Sequence, residues 1–222
     1  MFGRHPVGSQ DGGSMERFTR AISLFYNVLA SPQAVDRIGN TRECVVPTDQ
    51  PTGSAKTTQL VAGAGGRNVF PSKKRGPEVG KTKKGKGTKL MVLTEGHGLP
   101  ISAFTISAQV SEVNTIETLV DIQVAGRRPE RLLYDKAADA DWLRDALERR
   151  GIEQITPHRE GRKKPAKTDG RTLRRYKHRW KIERTISWLG YQRRLLVRHE
   201  YYAHLFEGFL HLACLMLCLK WF

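Results

Sequence analysis

Apolar residues along this chain follow either a helical spacing or short unbroken runs, and the two patterns alternate. After Met15, Phe18, Ile22, Phe25 and Leu29 fall on one helical face and Ser31-Pro32 supplies a stop, which predicts one amphipathic helix near residues 15–30. The Gly-rich, polar residues 1–14 before it are expected to be poorly structured. From Asn40 to Asn68, Thr, Gly, Pro and Ala recur without a period apart from Cys44 to Val46, so mostly loop is expected there. The apolar run "LMVLTE", the turn "GHG" and the run "LPISAFTIS" then predict a β-hairpin. Val113, Ile116 and Leu119 give helical spacing from Glu112 to Ile122, and "RLLYD" is a short strand ending in a carboxylate. Asp139 stands where it would cap a helix from Ala140 to Arg150, whose Trp142, Leu143 and Leu147 share a face. "IEQITP" reads as another strand, Leu173 to Leu189 as a long helix, and Ala203 to Phe222 as a buried apolar one. Strands alternating with helices predict an α/β fold.

Charge narrows the function. Lys and Arg number 38 against 22 Asp and Glu, a formal excess of +16 that attracts polyanions because each cation paired with a phosphate releases a condensed counterion. Basic DNA-binding and RNA-binding proteins both fit this surplus. Three cysteines, Cys44, Cys214 and Cys218, make no disulfide framework, and no signal sequence opens the chain, which points to the cytoplasm. Glu207, His211 and Lys220 interrupt the most apolar stretch, so no membrane span is expected. "GPEVGKT" is one residue short of a phosphate-binding loop and runs into Lys83-Lys84-Gly85 instead of a helix; "GAGG" at Gly63 to Gly66 lacks the third glycine of a dinucleotide fingerprint. His211, Cys214 and Cys218 lie in an apolar segment, where packing is the expected role.

Candidate chemistry rests on two carboxylates. At 100° per residue Tyr176 and Glu183 are nearly eclipsed on the helix, with Arg179 beside them and Ile182, Ile186 and Leu189 on the adjacent apolar stripe. Glu183 therefore sits at the edge of a buried face, within reach of a strand end such as Asp135. Two such carboxylates suit a hard cation, Mg²⁺ or Mn²⁺, and phosphate chemistry. Spacing alone equally allows an exposed Glu183 paired with Arg179 four residues earlier, and a turn role for Asp135.

The spacing Tyr-x2-Arg-x3-Glu, met by Tyr176, Arg179 and Glu183 within "RRYKHRWKIERTISWLGYQRRLLVRHE", resembles the signature around the last acid of DDE-type insertion-sequence transposases of the groups numbered four and five. "YDKAADADWLRDAL" resembles the segment around their second acid, and "FPSKKRGPEVGKTKKGKGTKLMVL", "GLPISAFTISAQVSEV", "RGIEQITPHRE" and "GFLHLACLMLCL" follow in the family's order. The resemblance covers residues 69–222. It implies an RNase H-like catalytic domain there, with a mixed sheet flanked by helices, following a poorly structured region at 1–68. It also implies an acid triad binding two divalent ions, which cleaves double-stranded DNA at an element's ends and joins it to a target, by proteins that act as dimers. Asp135 maps to the second acid and Glu183 to the third, both metal-binding and catalytic. Tyr176 and Arg179 would position DNA phosphate and the Glu183 helix, while Lys73, Lys74, Lys81, Lys83, Lys84, Lys86, Arg193 and Arg194, together with Arg198 and the basic loop from His158 to Arg171, would grip DNA. Gly190 stands where some members carry a lysine.

The first acid of the pattern is missing. The family places Asp-Gly at a strand end shortly before the "FPSKK" segment, whereas this chain has Gly65-Gly66-Arg67-Asn68 there and no carboxylate between Asp49 and Glu78. Asp49 is the one candidate substitute. A change of reading frame near residue 69 would account for the loss, and the expected protein is a partial or inactive transposase, alternatively a DNA-binding remnant without catalysis.

Overall fold

The computed structural model describes residues 59–63, 68–83, 85–123 and 129–220, of which 59–63 are described by backbone alone. The expected helix near 15–30, the expected unstructured residues 1–14, and Cys44, Asp49 and Lys84 lie outside them.

Among the described residues seven strands form one mixed sheet: β1 Gln59–Gly63, β2 Val69–Pro71, β3 Gly80–Thr82, β4 Gly85–Thr94, β5 Pro100–Ser107, β6 Arg131–Leu133 and β7 Glu153–Ile155. β4 is the hub, pairing antiparallel with β5 along most of its length, with β1 at its C-terminal end, and with β2 and β3 nearer its start. On the far side of β1 the sheet turns parallel, β1 to β6 and β6 to β7. A mixed sheet of this kind is buried on both faces, which is why Leu90, Met91, Val92 and Leu93 form an unbroken apolar run with none of the four exposed.

Among the described residues six helices flank the sheet: α1 Ile116–Asp121, α2 Asp141–Arg149, α3 Gly170–Leu173, α4 Trp180–Gly190, α5 Arg193–Leu196 and α6 Ala203–Leu219. Alternate residues of β4 feed two separate cores. Met91 and Leu93 pack with Ile116 and Leu119 of α1 and Leu143 and Leu147 of α2. Leu90 and Val92 pack on the opposite side with Ile182, Ile186 and Leu189 of α4 and Phe206, Leu210 and Leu217 of α6. The architecture is mixed α/β. Among the described residues no helix is long and apolar enough to cross a membrane.

The hairpin, the strands at "RLLYD" and "IEQITP", and the helices after Asp139 and Ala203 lie where the apolar pattern places them. The stretch expected to be mostly loop between Asn40 and Asn68 holds β1, an interior strand whose five residues are too short to display a period, and its residues 40–58 and 64–67 lie outside the described ones. Two local expectations fail. The helix expected from Leu173 to Leu189 is divided, with a 3₁₀ stretch, Arg174–Arg179, between α3 and α4. Asp139 caps nothing: α2 begins after Ala140 with no side-chain cap, and the Asp139 carboxylate turns instead to the loop after β7. As for α6, one face is buried through Phe206, Leu210 and Ala213, while Leu205, Leu212 and Met216 are exposed.

His211 on the buried face of α6 bonds the Ala103 carbonyl of β5 through Nε2 at 3.0 Å, with Glu207 3.9 Å away. Burial pushes its pKa below the ordinary histidine value, against a smaller opposing effect of the Ala103 bond. The folded protein thus holds the neutral ring, and the stabilisation is complete above the unfolded pKa and lost as pH falls from there through the folded one. Taking the protein from pH 7.5 to 5.5 should lower its melting temperature, and His211→Gln should reduce that pH dependence; equal pH slopes for both proteins would exclude His211 as the source.

Candidate functional site

Asp135 leaves the C-terminal end of β6 on the α4 side of the sheet. Leu132 and Tyr134 point into the α1–α2 core and Leu133 into the α4–α6 core, so the next side chain in the alternation follows Leu133. Asp135 also starts a 3₁₀ turn, Lys136–Ala138, with its Oδ1 accepting from the Lys136 backbone N–H at 2.6 Å. That bond fixes the carboxylate at the strand end.

The 3₁₀ geometry of Arg174–Arg179 decides what meets it. At three residues per turn, side chains three apart eclipse, so Tyr176 and Arg179 form one row. Arg179 Nη1 donates to the Tyr176 hydroxyl at 3.0 Å, and that hydroxyl donates to Asp135 Oδ1 at 3.5 Å. Arg179 Nη2 lies 3.4 Å from Asp135 Oδ2 and 3.3 Å from Glu183 Oε1, one turn further along in α4. One guanidinium nitrogen therefore bridges both carboxylates, and the other holds the tyrosine. Arg179 Nε is buried with no acceptor among the described residues. Burial raises the Tyr176 hydroxyl pKa, Arg179 opposing, which keeps this group a proton donor to Asp135 at neutral pH.

α4 is fixed over this point by the β4–β5 turn. Lys181 donates to the Gly96 carbonyl, Arg184 to His97 at 2.7 Å and Thr185 to Gly98 at 2.6 Å. Gly98 has φ +96°, and a side chain there would meet Arg184 Nη2. Arg184 is itself stacked between Trp180 and Trp188, 4.9 and 4.6 Å from their ring centres.

The remaining basic candidates separate into free and engaged groups. Lys73, Lys74, Lys81 and Lys83 are exposed and Lys86 half-buried around β2 and β3, while Arg193 and Arg194 are exposed on α5, the latter over the Phe209 ring. Arg198 does not belong with them. It is fully buried, donating to Thr88 Oγ1 at 2.8 Å, to the carbonyl of Glu200 at 3.1 Å and to that of Tyr201 at 3.0 Å. Its backbone completes the join: Arg198 N–H donates to Pro71 and Lys73 N–H to Arg198, which seats the basic segment after β2. Gly76 in that segment touches the Tyr201 carbonyl so closely that a Cβ would clash.

In the loop expected to grip DNA between His158 and Arg171, Arg162, Lys164 and Lys167 are engaged by two carboxylates from outside it. Asp139 is a buried carboxylate that pairs with Arg162, with Arg144 at 3.3 Å and with His158 at 3.5 Å, and accepts the Arg159 backbone N–H at 3.0 Å. Asp141 pairs with Arg162, with Lys164 at 2.9 Å and with Lys167 at 3.1 Å. Burial alone would raise the Asp139 pKa, but the Arg159 N–H and Arg162 outweigh it and hold it low; Lys164, Arg162 and Lys167 hold Asp141 lower still. These pairings were invisible in sequence because Asp139 and Asp141 lie about twenty residues from the loop cations they bind. Cys214 and Cys218 pack as apolar groups, their thiols pushed up by burial, Cys218 to about 11.

Asp135 and Glu183 are the two carboxylates that converge here, and among the described residues no cluster of three or more metal-ligating side chains occurs. Val61 pairs with Leu133 in parallel register, so Gly63 falls two residues further on, beside Asp135 and on the face of Val92, its partner in β4.

Residues 48–219 match the sequence profile of the family described as "Transposase DDE domain". A protein of Burkholderia cepacia described as a transposase for insertion sequence element IS402 is 32% identical over 140 residues, covering 60% of this chain and 63% of that protein. The chain thus spans less than two thirds of that relative's length. The family match begins well upstream of residue 69 and takes in β1.

Proposed function

Given that the chain belongs to the DDE transposase family, we propose that it is an insertion-sequence transposase that keeps its DNA-handling surface and two catalytic carboxylates but has lost strand cleavage with the third. The observation that carries this reading is the single Arg179 nitrogen shared by Asp135 and Glu183, which brings a strand-end and a helix carboxylate to one point. An RNase H-like fold is supported by the strand order β5-β4-β1-β6-β7, antiparallel up to β1 and parallel beyond it. The domain then starts no later than Gln59, and the first acid is absent by substitution on an in-frame β1.

The oxygen donors of Asp135 and Glu183 fit one divalent ion, Mg²⁺ or Mn²⁺, with water completing its shell; they are too few for the two ions of an intact family site. A bound ion there would supply charge stabilisation for phosphodiester cleavage. Arg179 competes for the same oxygens. When displaced, its planar guanidinium offers paired donors to a phosphate, and the Tyr176 hydroxyl continues to orient Asp135. Lys73, Lys74, Lys81, Lys83, Lys86, Arg193 and Arg194 hold the double-stranded DNA of element ends and target, in a protein that acts as a dimer.

Mn²⁺ titration followed by electron paramagnetic resonance, with a nicking assay on duplex DNA, tests both halves. The expected result is weak Mn²⁺ binding that Glu183→Gln removes, together with metal-independent DNA binding and no nicking. Metal-dependent nicking by the unaltered chain would refute the loss of cleavage, and Mn²⁺ binding indifferent to Glu183→Gln would refute the carboxylate pair.

A further inference from the structure

The 3₁₀ stretch that aims Tyr176 and Arg179 at Asp135 also sorts its other residues. Arg174 and Lys177 form a second row and Arg175 and His178 a third, and with Arg171 from α3 they line an open depression. No carboxylate lines it. None of the five side chains makes an ion pair or hydrogen bond among the described residues, whereas Arg131, Arg144, Arg150, Arg162, Lys164 and Lys167 are all paired with acids. Burial, with Lys181 and Lys177 nearby, holds the His178 pKa low, so four full charges remain: Arg171, Arg174, Arg175 and Lys177. Like charges within one or two turns repel, and this protein neutralises them elsewhere with Asp139 and Asp141. Here it leaves them open.

We infer that this depression, on the side of the 3₁₀ stretch away from the Asp135–Glu183 pair, seats the phosphate chain of duplex DNA. The assignment rests on the transposase reading for the choice of DNA, while the anion preference follows from the lining itself. A chain fits better than a single phosphate. From Arg171 to Lys177 the cations extend roughly 10 Å, at about 1.5 Å per α-helical and about 2 Å per 3₁₀ residue, which spans about three phosphates at roughly 3.4 Å of duplex axis per strand charge. The rows of a three-residue turn lie about 120° apart, so both basic rows face away from the row that carries Tyr176 and Arg179, and a strand lying on them is held on the opposite side of the stretch from the carboxylates.

The test is the salt dependence of binding by the full chain to a duplex of fixed length, with an RNA hairpin of equal charge as a second arm. Arg171→Gln, Arg174→Gln, Arg175→Gln and Lys177→Gln combined should reduce the slope of log K against log salt by about 2 to 3, at roughly 0.9 for each phosphate no longer neutralised. The four sites are exposed, so circular dichroism should show the fold intact, and restoring charge with lysine at all four should recover the slope. An unchanged slope in the folded Gln variant, or tighter binding of the RNA hairpin than of the duplex, would overturn the inference. Failure of the metal site is read separately, in the Mn²⁺ titration without DNA.

Discussion

Replacing Gly63 with aspartate is expected to raise affinity for Mn²⁺ by about 10- to 100-fold. The register of β1 against β6 places position 63 beside Asp135 on the α4 face, so the new carboxylate joins the two that Arg179 bridges. Opposite charges about 4 Å apart gain about 4 kcal/mol at an effective dielectric of about 20. Glu183 is 54% exposed, and solvent screening reduces that to about 1.4–3 kcal/mol, which corresponds to the expected fold-change. Ala62→Asp is the matched control: successive strand residues face opposite ways, and position 62, paired with Leu93, falls on the α1–α2 side. It should destabilise the fold without a gain in metal affinity. Gain at 62 but not at 63, or at neither, would mean that β1 does not carry the third ligand in this register. Nicking by Gly63→Asp but not by the unaltered chain would further tie strand cleavage to an acid at position 63.

Arg198→Ala is expected to destabilise the protein by about 3 kcal/mol, a fall of roughly 6–12 °C in melting temperature for a domain of this size. The substitution removes the donor to the carbonyls of Glu200 and Tyr201 and to the Thr88 hydroxyl, which keeps its own bond to the Glu78 carbonyl, and opens a cavity beside Phe206. Relief of the arginine's own burial, which lowers its pKa, offsets part of that cost. Arg198→Met keeps the volume and removes the buried charge, so it should cost about 1 kcal/mol. Urea unfolding of both variants checks the pair; an alanine variant within about 1 kcal/mol of wild type would show that Arg198 contributes little to the join.

What the sequence made legible was whatever depends on near neighbours. The β4–β5 hairpin follows from two apolar runs about a turn, and α2 and α4 from periods that a single helix displays. Asp135 and Glu183 were linked by a family spacing, and the structure brings them to one nitrogen. Side chains engaged with distant partners were misread: Arg198 looked like surface charge because Thr88 lies 110 residues away, and Asp139 looked like a cap because its cationic partners come from a loop beyond β7. β1 was hidden for another reason. An interior strand of five residues among Gly and Ala offers no alternation to count, and only pairing with β4 and β6 defines it.

The bridge between Ser72 and Arg198 sets an order of events during synthesis. The two residues are 126 positions apart, and both ends of the bridge are needed to seat the lysine-bearing segment after β2. On a ribosome the hairpin of β4 and β5 can close early, but that segment stays untethered until α5 and the residues after it have emerged. A chain truncated before Arg198 should therefore leave its early lysines open to proteolysis, however well the central sheet has formed.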